Sequence, residues 1–339
     1  MRDLINFEPG EELVLSEDTK KFIQAIYRDG TAKLTLDAQK RDLRYFWKWA
    51  ELALNLSEEY PISVEVILNF ITDHLGGMKE EVDQKLVDLG IKAKLGQHSL
   101  QTIKRRLYMI SGVHVMLNVD NPLRHEMVTT LISKAGSALA SQGIYSERKL
   151  PATKDIIEKL IATCGDKLID KRDKALLLVG FSSGGRRRSE LSQMMIEDLT
   201  RVEEGYKIKL WKMKNDQKAR GKEFPILGRA ADALNDWLNA SGITSGHLFC
   251  SISRGGNIHH PSLTGRAIYR IFKNRIKMAG LDEQLYSIHS IRSGFVTECG
   301  RQNLQILQIQ SLTGHESHKM LSIYYRDGNI LSSKAAKLM

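Results

Sequence analysis

Apolar residues return every three or four positions through most of the first 140 residues, the period of helices with one buried face. Over 35–56, Leu36, Leu43, Trp47, Ala50 and Leu54 form such a stripe. Lys40, Arg44 and Lys48 recur every fourth residue on another face, with Arg41 alongside. Pro61 to Leu75 predicts a second helix, closed by Gly76-Gly77. Residues 99–117 predict a third, with Leu100, Ile103, Leu107 and Ile110 on its apolar stripe and Lys104, Arg105 and Arg106 off it. Helices also fit 79–89 and 122–139. The pattern describes a small helical bundle carrying basic stripes that could follow a duplex backbone.

From Ser141 to Thr153, small and polar residues and a proline interrupt every period, as a linker does. The chain therefore divides into an acidic arm (1–30) containing Pro9-Gly10, a helical domain (31–140), a linker (141–153) and a second domain (154–339). In the second domain the pattern is mixed. Asp155 to Cys164 and Arg172 to Ser182 predict helices, the latter mostly apolar and hence buried. Tyr206-Lys-Ile-Lys-Leu210 alternates like a half-buried strand, and Gly221 marks a turn before Glu223-Phe-Pro-Ile-Leu227. This is a short hairpin, with Lys214 at the far end of its first strand. Ser262 to Met278 predicts a helix with Ile268, Ile271, Phe272 and Ile276 inside and Arg266, Tyr269, Arg270 and Lys273 on the opposite face, a shape that suits a major groove. The predicted fold is thus two-domain and mainly α: a helical bundle, then a mixed α/β domain with a small antiparallel sheet.

Charge sharpens the picture. The net charge is +10 over 339 residues, but residues 141–339 hold 32 Lys/Arg against 20 Asp/Glu, while residues 1–140 hold 18 against 20. A basic second half favours a polyanionic partner. The three cysteines, Cys164, Cys250 and Cys299, lie far apart and form no disulfide or metal pattern. Neither a signal-peptide run nor an apolar stretch of membrane length is present. A reducing cytoplasmic compartment is the expectation.

The chemistry is concentrated in a few residues. His289 and Arg292, three apart, share one face of a helical turn. Gly314-His315 follows, and Tyr324 lies nine residues beyond His315. Upstream stands Gly185-Arg-Arg-Arg-Ser-Glu-Leu191. Together these suit holding a phosphodiester while a tyrosine attacks it. Guanidinium groups stabilise non-bridging oxygens well, being planar, bidentate and always charged. A histidine exchanges protons near neutral pH. His315 and His318 could be read as a metal pair, but no third ligand accompanies them, and no metal is expected.

On these residues the second half resembles the catalytic domain of the tyrosine recombinases (the phage integrase family), with a layout similar to the Cre-type site-specific recombinases. The motif likeness runs from about residue 150 to 326, and the helical pattern of 31–140 matches the family's core-binding domain. The resemblance implies that Arg187 and Arg292 are the two catalytic arginines, family spacing selecting the middle one of Arg186-Arg187-Arg188. It gives Glu190 a supporting role, His289 acid-base work and His315 a hydrogen bond to phosphate. Lys214 would protonate the leaving 5′ oxygen, with Lys212 and Lys218 as rivals. Tyr324 would be the nucleophile, with Tyr325 as rival. A 3′-phosphotyrosine conserves the energy of the broken bond, so no cofactor, ATP or metal is implied. The partner is double-stranded DNA bearing a short inverted repeat, clamped between the two domains. The assembly would be a homotetramer on two sites exchanging strands through a Holliday junction, with a monomer free in solution and no membrane. Lys40, Arg41, Arg44, Lys48, Lys104, Arg105, Arg106, Arg266, Tyr269, Arg270 and Lys273 are the expected DNA contacts. The tail Ser332 to Met339 is expected to dock on a neighbouring protomer. His315 stands where the Cre subgroup can carry tryptophan, and no separate arm-binding domain precedes residue 31. The alternatives are a type IB topoisomerase, which shares the tyrosine chemistry, and a non-catalytic DNA-binding protein of the same fold.

Overall fold

The computed structural model describes residues 16–144, 148–211, 221–315 and 318–329. The chain forms two compact units, Met1–Ser146 and Glu147–Met339.

The first unit is helical: α1 (Glu17–Gly30), α2 (Lys33–Leu54), α3 (Val64–Gly76), α4 (Glu80–Asp88), α5 (Leu100–Leu117) and α6 (Glu126–Ser141). Local chemistry sets the ends. The Ser63 and Ser99 side chains accept from the N–H groups of Val66 and Thr102, which start α3 and α5. Asn55 and Asn118 close α2 and α5 in the left-handed conformation. The core gathers Leu43, Phe46, Trp49, Phe70, Ile103, Leu107 and Ile110. The buried face of α2 is therefore centred on Leu43, Phe46, Trp49 and Ala50, with the expected Trp47 only half-buried at its edge.

The second unit continues with α7 (Lys154–Ile161), α8 (Leu168–Ser182) and α9 (Arg188–Ser192), then β1 (Leu199–Val202), β2 (Gly205–Leu210) and β3 (Lys222–Leu227). These strands form an antiparallel sheet, β1-β2-β3, pairing Leu199 with Ile208 and Ile208 with Phe224. The expected hairpin is β2 and β3, and β1 adds a strand that periodicity did not reveal. Next come α10 (Arg229–Ser241), the antiparallel pair β4 (Cys250–Ile252) and β5 (Ile258–Ser262), α11 (Gly265–Met278), α12 (His289–Arg301), α13 (Ile306–Thr313) and α14 (His318–Asn329). The mostly apolar α8 lies inside, with Ala175 to Val179 buried among Phe224, Trp237, Phe249 and Phe272. Arg275 ties α11 to α8 through Asp170 (2.6 Å) and Asp173 (2.7 Å).

Part of the expected linker belongs to this unit's packing. The Leu150 and Ala152 N–H groups donate to the carbonyls of Leu285 and Ser290, and Ala152 and Thr153 are buried. Among the described residues no helix is long and apolar enough to cross a membrane.

Candidate active site

Three segments of the second unit converge: the turn between α8 and α9, the first turn of α12, and the end of α13 with His315. Gly184 and Gly185, both at positive φ (107° and 68°), make the first turn. A Cβ on Gly185 would lie 2.5 Å from the Cα of Arg292, so only glycine lets this turn rest against α12.

Arg187 caps α9. Its backbone N–H donates to Glu190 Oε2 (3.1 Å) and its Nη1 donates to Glu190 Oε1 (2.7 Å). The buried Glu190 thus fixes both the turn and the guanidinium, while the Arg187 side chain keeps 24% of its exposure. Such a residue can reach a ligand and is already aimed.

Arg292 is 2% exposed. Its Nη1 donates to the Gly185 carbonyl (3.2 Å), its Nη2 to the Thr313 carbonyl, and its Nε to His315 Nε2 (3.3 Å). His315 Nδ1 pairs with Thr313 Oγ1 (2.8 Å), and Gln310 Nε2 donates to the His315 carbonyl (2.8 Å). With Nε2 accepting from Arg292, the ring proton sits on Nδ1. Donation from His315 to a phosphate oxygen then requires a second proton or a change of tautomer. His289 begins α12 and is exposed.

Loss of solvent, followed by crowded positive charge, sets the electrostatics of the site. Loss of solvent, with Arg187 and Arg186 nearby, holds Arg292 down to about 9, still charged at neutral pH. Loss of solvent followed by Arg292, Arg187, His289 and Arg186 holds His315 down to about 4. His289 is lowered by partial loss of solvent and by Arg292 and Arg187. Both imidazoles are therefore neutral at pH 7. Neutral His289 can accept a proton, and the shared causes show that the four groups stand within each other's fields.

The helix bearing the tyrosines lies along α12 in the same chain. A Cβ on Gly300 would meet the Tyr325 carbonyl at 2.3 Å, and one on Gly328 would meet the Thr297 carbonyl at 2.0 Å. These glycines let the two helices approach closely. Tyr324 and Tyr325, both half-buried, pack on Val296, Cys299, Ile309 and Leu321. The Tyr325 hydroxyl donates to Asn303 Oδ1 (3.2 Å), beyond the carboxy-terminal end of α12. That end is about 15 Å along the helix axis from Arg292. Tyr324 is turned about 100° from its neighbour. Lys214, Lys212 and Lys218 lie outside the described residues, as does the tail 332–339, and the His318 side chain is likewise not described.

The expected DNA contacts divide by environment. In the first unit, Lys40, Arg41 and Arg44 are exposed on α2 and Lys104 is half-buried on α5. Lys48 donates to Glu51 (2.6 Å), and Arg105 pairs with the buried Asp42. Arg106 corrects the reading of the basic cluster. It is 8% exposed with its guanidinium 3.1 Å over the Tyr45 ring, so it serves the core rather than the surface. In the second unit, Arg266 and Arg270 are exposed on α11, with Tyr269 half-buried. Lys273 folds back to donate to the Glu283 carbonyl. The sequence reading missed Gly185, Thr313 and Gln310. Only the Gly184-Gly185 pair carried a signal, as a turn requiring positive φ.

Residues 152–329 match the phage integrase family. The chain belongs to that family. Among phage integrase relatives, the integrase/recombinase XerD homolog of Selenomonas ruminantium is 31% identical over 316 residues, covering 90% of this chain and 85% of that protein. The tyrosine recombinase XerC of Herpetosiphon aurantiacus is 24% identical over 283 residues, covering 81% and 85%. The fold is shared with the XerH site-specific recombinase bound to a palindromic difH substrate in a post-cleavage complex. That match has a TM-score of 0.62 and 17% identity over 96% of this chain and 85% of that one. It is also shared with a lambda integrase dimer bound to a COC′ core site, with a TM-score of 0.57 and 15% identity over 93% and 96%. The mixture of a helical first unit and small antiparallel sheets in the second is thus the fold of this family.

Proposed function

We propose that the protein is a site-specific DNA recombinase that cleaves and rejoins duplex DNA through a 3′-phosphotyrosine on Tyr324. The observation that carries this reading is the set Arg187, Arg292, His289 and His315 gathered on one site, with the tyrosine helix α14 packed in the same chain along α12, the helix that bears His289 and Arg292. In the reaction Tyr324 Oη bonds to phosphorus and the P–O5′ bond breaks. The electron pair leaves on the 5′ oxygen, which takes a proton. His289, neutral and accessible, accepts the phenol proton, and the phenol is a weak nucleophile without such help. Arg187 and Arg292 hold the two non-bridging oxygens as their charge grows. Lys214 supplies the proton to the departing oxygen. Rejoining runs the same steps backwards with a new 5′ hydroxyl, so the bond energy is kept and neither ATP nor a metal is consumed.

The substrate is duplex DNA with a short inverted repeat, bound by four protomers that exchange strands through a Holliday junction. The DNA-bound state of related recombinases supports the choice of partner, as do the exposed Arg266 and Arg270 of α11. The test incubates the protein, without metal or ATP, with duplex fragments from around its own coding sequence and looks for complexes that survive SDS. An adduct lost in Tyr324→Phe and kept in Tyr325→Phe is the expected result. Tight binding with no adduct on any fragment overturns the reading in favour of a non-catalytic DNA-binding protein. Relaxation of supercoils without pairing of two sites would instead indicate a topoisomerase.

A further inference from the structure

Arg186, beside Arg187, is a large charged side chain that the reaction above does not use, and it is 1% exposed. Its Nη2 donates to the carbonyls of Leu312 and of Gly184, the latter at 3.4 Å. Its guanidinium lies 4.0 Å over the Phe224 ring, and its Nη1 stands 3.7 Å from Glu190 Oε2. Among the described residues its Nε and Nη1 have no hydrogen-bond partner. One buried guanidinium therefore touches two pieces of the site, the turn and carboxylate that hold Arg187 and the end of α13 that leads to His315, and packs on Phe224 of β3.

We propose that Arg186 is a positioning residue for strand cleavage, a buried cation that touches no substrate, ties the Arg187 turn to the His315 loop and adds to the positive field on the scissile phosphate. The proposal rests on the recombinase reading. Glu190 already has Arg187 as an ion partner, so a purely structural role would ask of Arg186 chiefly its hydrogen bonds to the Leu312 and Gly184 carbonyls and its packing on Phe224, none of which grows as negative charge arrives at the site. In the free protein the charge of Arg186 is disfavoured first by loss of solvent and then by Arg187, with Glu190 offsetting part of that cost. A phosphodiester brings one negative charge, and its pentacoordinate transition state brings two. The benefit of Arg186 thus grows as the reaction proceeds, and growth of that kind accelerates the chemical step.

The test compares the full chain with Arg186→Leu, Arg186→Gln and Arg186→Lys. Three readouts are taken: thermal unfolding, NMR titration of the His315 imidazole without DNA, and the rate of SDS-resistant adduct formation on flanking duplex fragments. The groups facing His315 in the first two readouts are Arg292, Arg187, His289 and Arg186. Arg186→Leu gives up the hydrogen bonds to the Leu312 and Gly184 carbonyls and is expected to fold but to unfold below the wild-type temperature, to titrate His315 at higher pH, and to form adduct roughly tenfold more slowly at unchanged DNA binding. Arg186→Lys is expected to recover most of both effects. If Leu does not fold, Gln and Lys carry the same comparison. A folded neutral variant with wild-type adduct rate, or with His315 unmoved, overturns the proposal. Should the wild type form no adduct on any DNA, the recombinase reading fails, while the His315 titration still decides the electrostatic part.

Discussion

Replacing Gly185 by alanine asks two things of the protein at once. The residue sits at φ 68°, where an L side chain costs about 1–2 kcal/mol. Its new Cβ would lie 2.5 Å from the Arg292 Cα and 3.1 Å from the Arg292 Cβ. Those atoms belong to a buried helix and cannot swing aside, so relief requires a backbone shift costing about 1–3 kcal/mol. The total is about 2–5 kcal/mol, or roughly 4–20 °C in melting temperature for a unit of this size. Gly242, which caps α10 at φ 64°, is the control, since nothing lies within 4 Å of its Cβ. Gly242→Ala bears only the conformational cost of about 1–2 kcal/mol. Calorimetric unfolding of the two variants side by side isolates the steric part. Gly185→Ala should melt below Gly242→Ala by roughly 2–12 °C and lose adduct formation, because the atom it strikes positions Arg292. Equal melting temperatures, or full activity in Gly185→Ala, would refute the argument that glycine is needed for the turn to rest on α12.

Other perturbations follow from the same geometry. Glu190→Ala removes the carboxylate from the buried Arg186 and from Arg187 and should cost about 3–5 kcal/mol in denaturant unfolding, besides slowing adduct formation. Gly328→Ala drives a methyl group to 2.0 Å from the Thr297 carbonyl. It should push α14 off α12 and abolish adduct formation while filter-binding to DNA persists. In the first unit His74 is fully buried, held near 3 by loss of solvent, and paired with Tyr45 (2.8 Å). Its folded pKa lies below its unfolded value of about 6.5, so the unfolded state binds the extra proton. Stability contributed by neutral His74 is complete above pH 6.5 and falls by roughly 1.4 kcal/mol per pH unit down toward pH 3. Denaturant titrations between pH 7 and 5 should show at least this slope, since His98, His114, His289 and His315 are lowered too, and His74→Gln should reduce it. A slope unchanged in His74→Gln would remove this residue from the account.

Most helices were legible because burial on one face imposes a 3.6-residue period that survives in the sequence. The strands β1, β4 and β5 were not, since three to five residues hold too few alternations, and Ile258-His-His-Pro-Ser262 has no apolar alternation to recognise. Arg106 was misplaced for a reason the sequence does contain. It falls three residues after Ile103 and four before Ile110, on the buried stripe itself. Arg275 repeats the lesson, three residues after Phe272 and buried with Asp170 and Asp173. The candidate set Arg187, His289, Arg292 and His315 was named from its motifs and the family they resemble, because phosphodiester chemistry constrains residue types. What holds it could not be named so, because the carbonyls of Gly185 and Thr313 and the hydroxyl of Thr313 are ordinary groups whose use depends on where the chain passes.

The central claim is that Tyr324 becomes joined to a DNA 3′ phosphate, and mass spectrometry of the trapped adduct tests it most directly. After nuclease and protease digestion, the account expects the nucleotide mass on the hydroxyl of Tyr324 and a free 5′ hydroxyl on the released strand. A nucleotide on Tyr325 or another residue, or a 5′-phosphate linkage, would contradict it.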